Sequence, residues 1–465
     1  MRVVAVVPFW SQSDAVNWDS NYNLMRRVLP VMSDLRPEWI WVLFWPIAEA
    51  GMDKWTYYKD GFFDSMPRLV KFGWPYDTAM RTSIRGFHPT LLKRLENQWG
   101  PSIIWLNQVE MGAQLVGGYR DAMVKDGRPT MIAQQHYIIH KSLPYPFETM
   151  ISRLLLQMIG SLCSDAVVTN SEWCRTMMRE SFSLYLNANA MAELADKTHI
   201  LQFGMVDEAK EPPPLPDAKP GDTPIVIYNH RFEGYKNHHV TAQVLRDLRA
   251  AGNNFEVWIT QAVDQNIGEF PCDKFIGHPD VDRYLNNLNV PAINTLNSQH
   301  ETFCIALLDS IMMGNLPVAP NSVTFPELVP EGYPFLFNSE KEQRAMLEGI
   351  FKRWPADWQE WAPKLREHAR TKFGIKSYAQ RYIELFERYS QATATMKPHT
   401  AVNRERTVGL LPKSWTPWPK VWRMVKAEMG LQDQSLTPTR FQHLFGPHLD
   451  ASIRDGELWL RANGS

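Results

Sequence analysis

Residues 298–327 read SQHETFCIALLDSIMMGNLPVAPNSVTFPE, and this stretch limits the choice of fold more than any other. Ile305, Ala306, Leu307, Leu308, Ile311 and Met312 recur at helical spacing and give a broad apolar face, while Gly314 with Asn315 supplies a helix stop. Residues 316–319 then have the look of a short buried strand, followed by a turn and Phe325-Pro326-Glu327. A helix packed between strands has no structural use for charge at its mouth, yet Glu301 stands at the entrance and Asp309 eight positions on. At about 100° per residue, eight steps return to within roughly 80° of the starting direction, so both carboxylates can border one cleft.

An earlier stretch has the same character. NHRFEGYKN, residues 229–237, follows a β-branched run at 225–228 and precedes a helix expected from about His238. Arg231 and Lys236 are therefore placed in a loop at the start of a helix. A guanidinium fork, an ammonium and helix-start amides together suit a diphosphate. Taken alone, the two cations read equally well as solvated surface charges, and Glu301 and Asp309 as complements of a helix dipole.

Alternating strand and helix signals run on both sides of these stretches. Strands are expected at 3–7, 39–44, 103–106, 131–134 and 165–169, with helices from Asp19 or Ser20 to Met32 and at 90–98 and 150–163. Such repetition predicts an α/β protein with parallel sheets and helices on both faces, whose ligands belong at the carboxyl ends of the strands. Residues 211–222, EPPPLPDAKPGD, form a stiff linker. The resulting division is a first α/β domain at 1–205, a linker at 206–222, a second α/β domain at 223–392 closed by a helix at 377–389, and an extension at 393–465. Residues 45–85 read as a loop-rich aromatic insertion. In the extension, helices at 420–428 and 438–444 and a hairpin turning at Asp455-Gly456 are compatible with a winged-helix shape.

The 465 residues are 44% hydrophobic and 21% charged, which predicts sizeable cores. A net charge of −1 gives no bulk attraction to nucleic acid, and even residues 401–465 carry only nine Lys and Arg against six Asp and Glu. Cys163, Cys174, Cys272 and Cys304 have no C-x-x-C spacing and read as reduced thiols of a cytoplasmic protein. The apolar run at the start is too short for a signal peptide, and no segment is long enough to span a bilayer. His136, in QQHY at a strand end, is a candidate ligand-facing residue, with Ser171 and Glu172 at another. Asp280-Val281-Asp282 spells the D-x-D of metal-dependent transferases, but Asp280 reads as a helix cap and no metal is expected.

Together, NHRFEGYKN and HETFCIALLDSIMMGNLPVAPNSVTFPELV resemble the donor site of the retaining family-four glycosyltransferases of GT-B fold, two Rossmann-like domains facing a cleft. Within that family they are most similar to the queuosine-tRNA mannosyltransferase branch, with its NHR-x-E-x-x-K loop and H-E-F-F-G-type segment. QQHYIIHKSLPYP and DAVVTNSEW extend the likeness, which covers roughly residues 130–390. The resemblance implies a nucleotide-sugar donor such as a UDP-sugar, with Arg231 and Lys236 on the diphosphate. It also implies that Glu301, Thr302 and Phe303 meet the sugar, Asp309 holds the ribose, and His136 and Glu327 lie at the site. This chain has E-x7-D where the family usually has E-x7-E, and Cys304 where Gly is common.

The acceptor implied is a hydroxyl on a modified nucleobase, foremost a hydroxymethylated pyrimidine in DNA of the kind modified by phage enzymes, which would place the protein in a host cytoplasm. Queuosine in tRNA and a polysaccharide or small molecule are the alternatives. A reading of another class is an inactive GT-B scaffold that only binds a nucleotide sugar. Oligomeric state is not legible. On the catalytic reading, Lys236→Ala and Arg231→Ala are expected to abolish transfer with the fold intact.

Overall fold

The computed structural model describes residues 2–8, 20–46, 61–74, 87–121, 129–140, 143, 147–208, 210–261, 268, 270–277, 281–395, 416–417, 449–454 and 457–462. The first lobe is built on strands β1 (Val3–Val7), β2 (Ile40–Pro46), β3 (Leu69–Trp74), β4 (Ile103–Leu106), β5 (Thr130–Gln135), β6 (Ala166–Thr169) and β7 (Thr198–Ile200). They form one sheet in the order β3-β2-β1-β4-β5-β6-β7, every pair parallel. Every residue of β1, β4, β5 and β6 is buried, as expected of strands covered by helices on both faces.

The second lobe repeats the plan. Strands β8 (Ile225–Tyr228), β9 (Glu256–Gln261), β10 (Lys274–Gly277), β11 (Ala292–Thr295), β12 (Leu316–Pro320) and β13 (Leu336–Phe337) pair in parallel in the order β10-β9-β8-β11-β12-β13. In both sheets the order reverses beside the first strand, between β1 and β4 and between β8 and β11. Loops leaving adjacent strands there diverge to opposite faces and open a crevice.

Three sequence expectations change. Residues 69–74, read as part of a loop-rich insertion, form the edge strand β3, whose short LVKFGW run has too little periodicity to stand out. Helices at Gly112–Asp121, Glu172–Ser183, Ala188–Asp196, Glu340–Arg353 and Ala356–Lys372 were not anticipated, because their apolar positions are interrupted by charge or glycine. The helix expected to close the second lobe, Ile375–Thr395, instead lies on the first. Its wholly buried Tyr382 and Phe386 pack on Trp105 of β4 with ring centroids 4.9 and 5.9 Å apart, and Glu387 pairs with Arg36 at 3.0 Å. The apolar stripe was legible, but the partner it faces was not.

Gly160 shows how tightly the first lobe is closed. A Cβ there would lie 1.9 Å from the Val109 carbonyl, so the helix Phe147–Cys163 can meet the turn after β4 only through glycine. In the extension, β15 (Leu449–Arg454) and β16 (Glu457–Ala462) pair antiparallel, β14 (Thr416–Pro417) joins β16, and the turn expected at Asp455-Gly456 lies outside the described residues. The two helices expected there, and Asp280, lie outside the described residues.

Candidate active site

β8 ends in Asn229, whose side chain fastens the following loop to the second stretch. Asn229 Nδ2 donates to the Ala306 carbonyl at 2.8 Å and lies 3.1 Å from Ser310 Oγ, while its Oδ1 accepts from Asn294 of β11 at 2.9 Å. The loop then makes a single 3-10 turn at Gly234–Lys236 and passes through Asn237 at φ +49° before the helix His238–Ala250. Asparagine tolerates that left-handed conformation better than most residues. Gln299 N and Ser298 Oγ both donate to the Tyr235 carbonyl, at 2.9 and 3.3 Å, which clamps the turn against residues 298–301.

The clamp brings Lys236 and Glu301 together. The ammonium donates directly to Glu301 Oε1, and both residues are 8% exposed. His230 Nδ1 stands 3.8 Å from the same oxygen, and its Nε2 is 3.5 Å from Cys304 Sγ. Four side chains thus follow in line: Cys304, His230, Glu301, Lys236. Burial, with Lys236 and Arg231 nearby, drives the His230 pKa well below its ordinary value, so the imidazole is neutral. Burial raises the Cys304 thiol well above its ordinary range, with Glu301 adding to the effect. His230, Glu301 and Cys304 are the candidate metal-ligating group among the described residues, one ligand atom from each lying within 4.8 Å of the others.

Arg231 is one ring away. Its guanidinium is exposed, pairs with Glu233 at 2.9 Å and reaches the Tyr235 hydroxyl at 3.2 Å, while Lys236 Nζ lies 4.9 Å from the centre of that tyrosine ring. The helix Ile305–Met312 ends as its sequence foretold. Met313 is the C-cap, Gly314 turns at φ +91°, and Gly314 N and Asn315 N return to the Ile311 and Ser310 carbonyls. Within the helix, burial pushes Asp309 from 3.8 up to about 6, partly opposed by Arg27 of the first lobe. Arg27 lies on the helix Ser20–Leu35 and also donates to the Met205 carbonyl at 3.2 Å.

The first lobe meets this site through His136. Its carbonyl accepts from Thr302 Oγ1 at 2.5 Å, and Asn170 Nδ2 reaches that same hydroxyl at 3.2 Å. The His136 ring bonds Asn107 Oδ1 at 2.5 Å and lies over Phe203, which in turn packs edge-on against Phe303 with centroids 5.0 Å apart. The Phe303 side chain is therefore interlobe core. The amides of Thr302, Phe303 and Cys304 stand in the turn before the helix, where the first N–H groups lack intrahelical partners. His300 sits among Tyr137, Trp173 and Tyr235, and burial lowers its pKa to about 3.

Glu327 has another occupation. Its carboxylate accepts from the Glu172 and Trp173 amides at 2.9 Å each and from Gln202 Nε2 at 3.2 Å, capping a first-lobe helix from the second lobe. Ser171 caps the same helix, accepting from Cys174 N at 3.0 Å. Sequence reasoning passed over His230, Asn229, Asn170 and Arg27. The first two lay inside the quoted NHR loop and Asn170 at a strand end inside the quoted DAVVTNSEW, whereas nothing local marks Arg27.

No family model matches the chain. It is 26% identical over 174 residues to the tRNA-queuosine alpha-mannosyltransferase of Drosophila melanogaster, an alignment spanning 35% of this chain and 45% of that protein's length. Sucrose-phosphate synthase from Thermosynechococcus elongatus superposes with a TM-score of 0.61 at 13% identity, over 84% of this chain and 100% of that one. A glycosyltransferase from Rickettsia africae gives 0.56 at 12%, over 83% and 98%. Trehalose 6-phosphate synthase from Burkholderia multivorans gives 0.55 at 9%, over 84% and 99%. Two facing doubly wound lobes, recrossed by their last long helix and matched nearly end to end by these structures, give the chain the GT-B fold.

Proposed function

We propose that this protein is a retaining glycosyltransferase that moves a sugar from a nucleotide diphosphate, UDP foremost, to a hydroxyl acceptor held by the first lobe. The observation that carries the reading is the buried contact of Lys236 with Glu301 at the mouth of the helix Ile305–Met312, beside the β8/β11 crevice and next in sequence to Thr302, whose hydroxyl meets the His136 carbonyl and Asn170 of the first lobe. Lys236, Arg231 and the helix-start amides stabilise charge that grows on the departing diphosphate, which counts for more in the transition state than in the ground state. Glu301 and the Thr302–Phe303 amides hold the sugar hydroxyls, and Asp309 holds the ribose. The bond from the anomeric carbon to the diphosphate oxygen breaks as the acceptor oxygen bonds on the same face. The departing phosphate takes the acceptor proton. Two protein cations act where other transferases use a metal, so none is required.

The acceptor we assign is a hydroxymethylated pyrimidine in DNA. Queuosine in tRNA is the second reading, favoured by the name of the aligned Drosophila melanogaster protein. A cytoplasmic setting accords with four free thiols, and among the described residues no helix is long and apolar enough to cross a membrane. Incubation with a panel of sugar nucleotides and each acceptor, followed by mass spectrometry, tests the assignment. A hexose or pentose increment on DNA supports the first reading, and one on tRNA replaces it with the second. Absence of both transfer and donor hydrolysis leaves a nucleotide-sugar binding scaffold. A mobility shift that weakens with salt on only one nucleic acid separates the two acceptors independently of turnover.

A further inference from the structure

We infer that Cys304, His230 and Glu301 form a binding site for a thiophilic divalent cation such as Zn²⁺, and that this ion and the Lys236 ammonium are alternatives for Glu301. Tetrahedral zinc with Zn–S near 2.3 Å and Zn–N near 2.0–2.1 Å separates sulfur from nitrogen by about 3.5 Å. Cys304 Sγ and His230 Nε2 are 3.5 Å apart. Glu301, whose Oε1 faces the other ring nitrogen Nδ1 at 3.8 Å, completes the set by turning its carboxylate from Lys236 toward the ion, one donor atom from each of the three residues already lying within 4.8 Å of the others. All three residues are buried, at 2%, 4% and 8% exposure, so an ion among them is shielded from competing water. A thiol, an imidazole and a carboxylate suit Zn²⁺ or Cd²⁺ and would not hold Mg²⁺.

Lys236 makes the site conditional. Its ammonium already lies against Glu301 Oε1, so an ion taking that carboxylate must displace the contact. Binding converts the Cys304 thiol to a metal thiolate and releases its proton to solvent. Three donors leave a fourth position for water. The consequence for turnover, inhibition by displacing Lys236, rests on the proposed transferase reading; the binding itself does not.

The probe is Cd²⁺, read through the ultraviolet cadmium–thiolate charge-transfer band. In a variant with Cys163, Cys174 and Cys272 changed to Ser, Cys304 is the only thiol. The expected result is one Cd²⁺ per chain. His230→Gln in that background should weaken binding by at least the roughly 10–100-fold that losing even a supporting partner costs a metal site. Lys236→Met should tighten it, because the competing charge is gone. If the triple variant does not fold, the difference between wild type and Cys304→Ser serves the same purpose. No band, or a band indifferent to His230→Gln, overturns the site. A band with unchanged affinity in Lys236→Met overturns the competition. Stoichiometric Cd²⁺ binding without inhibition of an active enzyme upholds the metal site and refutes the role given to Lys236 in transfer.

Discussion

Asp309→Asn separates a carboxylate kept for a ligand from one kept for stability. Burial raises its pKa from 3.8 to about 6, so the folded protein holds this proton more tightly than the unfolded chain does. Below pH 3.8 both states carry the proton and the group imposes no penalty. Stability then falls as pH rises toward 6, and above 6 the penalty is complete. About two pKa units at 1.36 kcal/mol each is about 3 kcal/mol, an upper figure because Asp309 is not wholly shut off from solvent. Asparagine keeps the shape and discards the charge. Urea unfolding of wild type and Asp309→Asn at pH 7.5 and pH 4 should therefore show the variant more stable by about 1–3 kcal/mol at the higher pH, with most of the gain gone at the lower. Taking the difference between the two proteins cancels other titrating groups. The proposed ribose contact adds that UDP affinity, measured by calorimetry, should fall in wild type as pH drops below about 6 and be weak and flat with pH in the variant. A variant destabilised equally at both pH values would refute the reasoning.

Lys236→Ala departs from the expectation of an intact fold, since it strands Glu301 as an unpaired buried charge. A loss of about 3–5 kcal/mol is expected, with Lys236→Met/Glu301→Gln recovering part of it in the same denaturation assay. Arg231→Ala, on an exposed guanidinium paired only with Glu233 and Tyr235 among the described contacts, should change stability by less than about 0.5 kcal/mol and lower turnover by on the order of 10²-fold. Glu327→Ala removes acceptors from two helix-start amides. It should lower stability by about 1–2 kcal/mol and, in small-angle scattering, enlarge the radius of gyration as the lobes part. An unchanged scattering profile would show that Glu327 does not hold them together.

Much of the second lobe's share of the candidate site was readable because each half of it is continuous in sequence. Arg231 and Lys236 are five positions apart in one loop, and Glu301 precedes the helix Ile305–Met312 that carries Asp309. Strand runs such as VVAVV and the Gly314 stop are local patterns with local physical causes. The edge strand β3 and the charged helices escaped notice because their stability comes from neighbours and not from their own periodicity.

Sequence by itself determined two α/β lobes, a proline-rich joint between them and the identity of the charged residues at the second lobe's crevice. Tertiary structure alone decided which of these touch. It set Thr302 on the His136 carbonyl, turned Glu327 to the end of a first-lobe helix, laid Ile375–Thr395 across Trp105 and lined up Cys304 with His230 and Glu301. The physical reason is that spacing along a chain specifies what shares a strand or a helix face. Contacts between residues separated by 70 to 280 positions depend instead on where each sheet reverses its order and how the two lobes close, and no single segment carries that information.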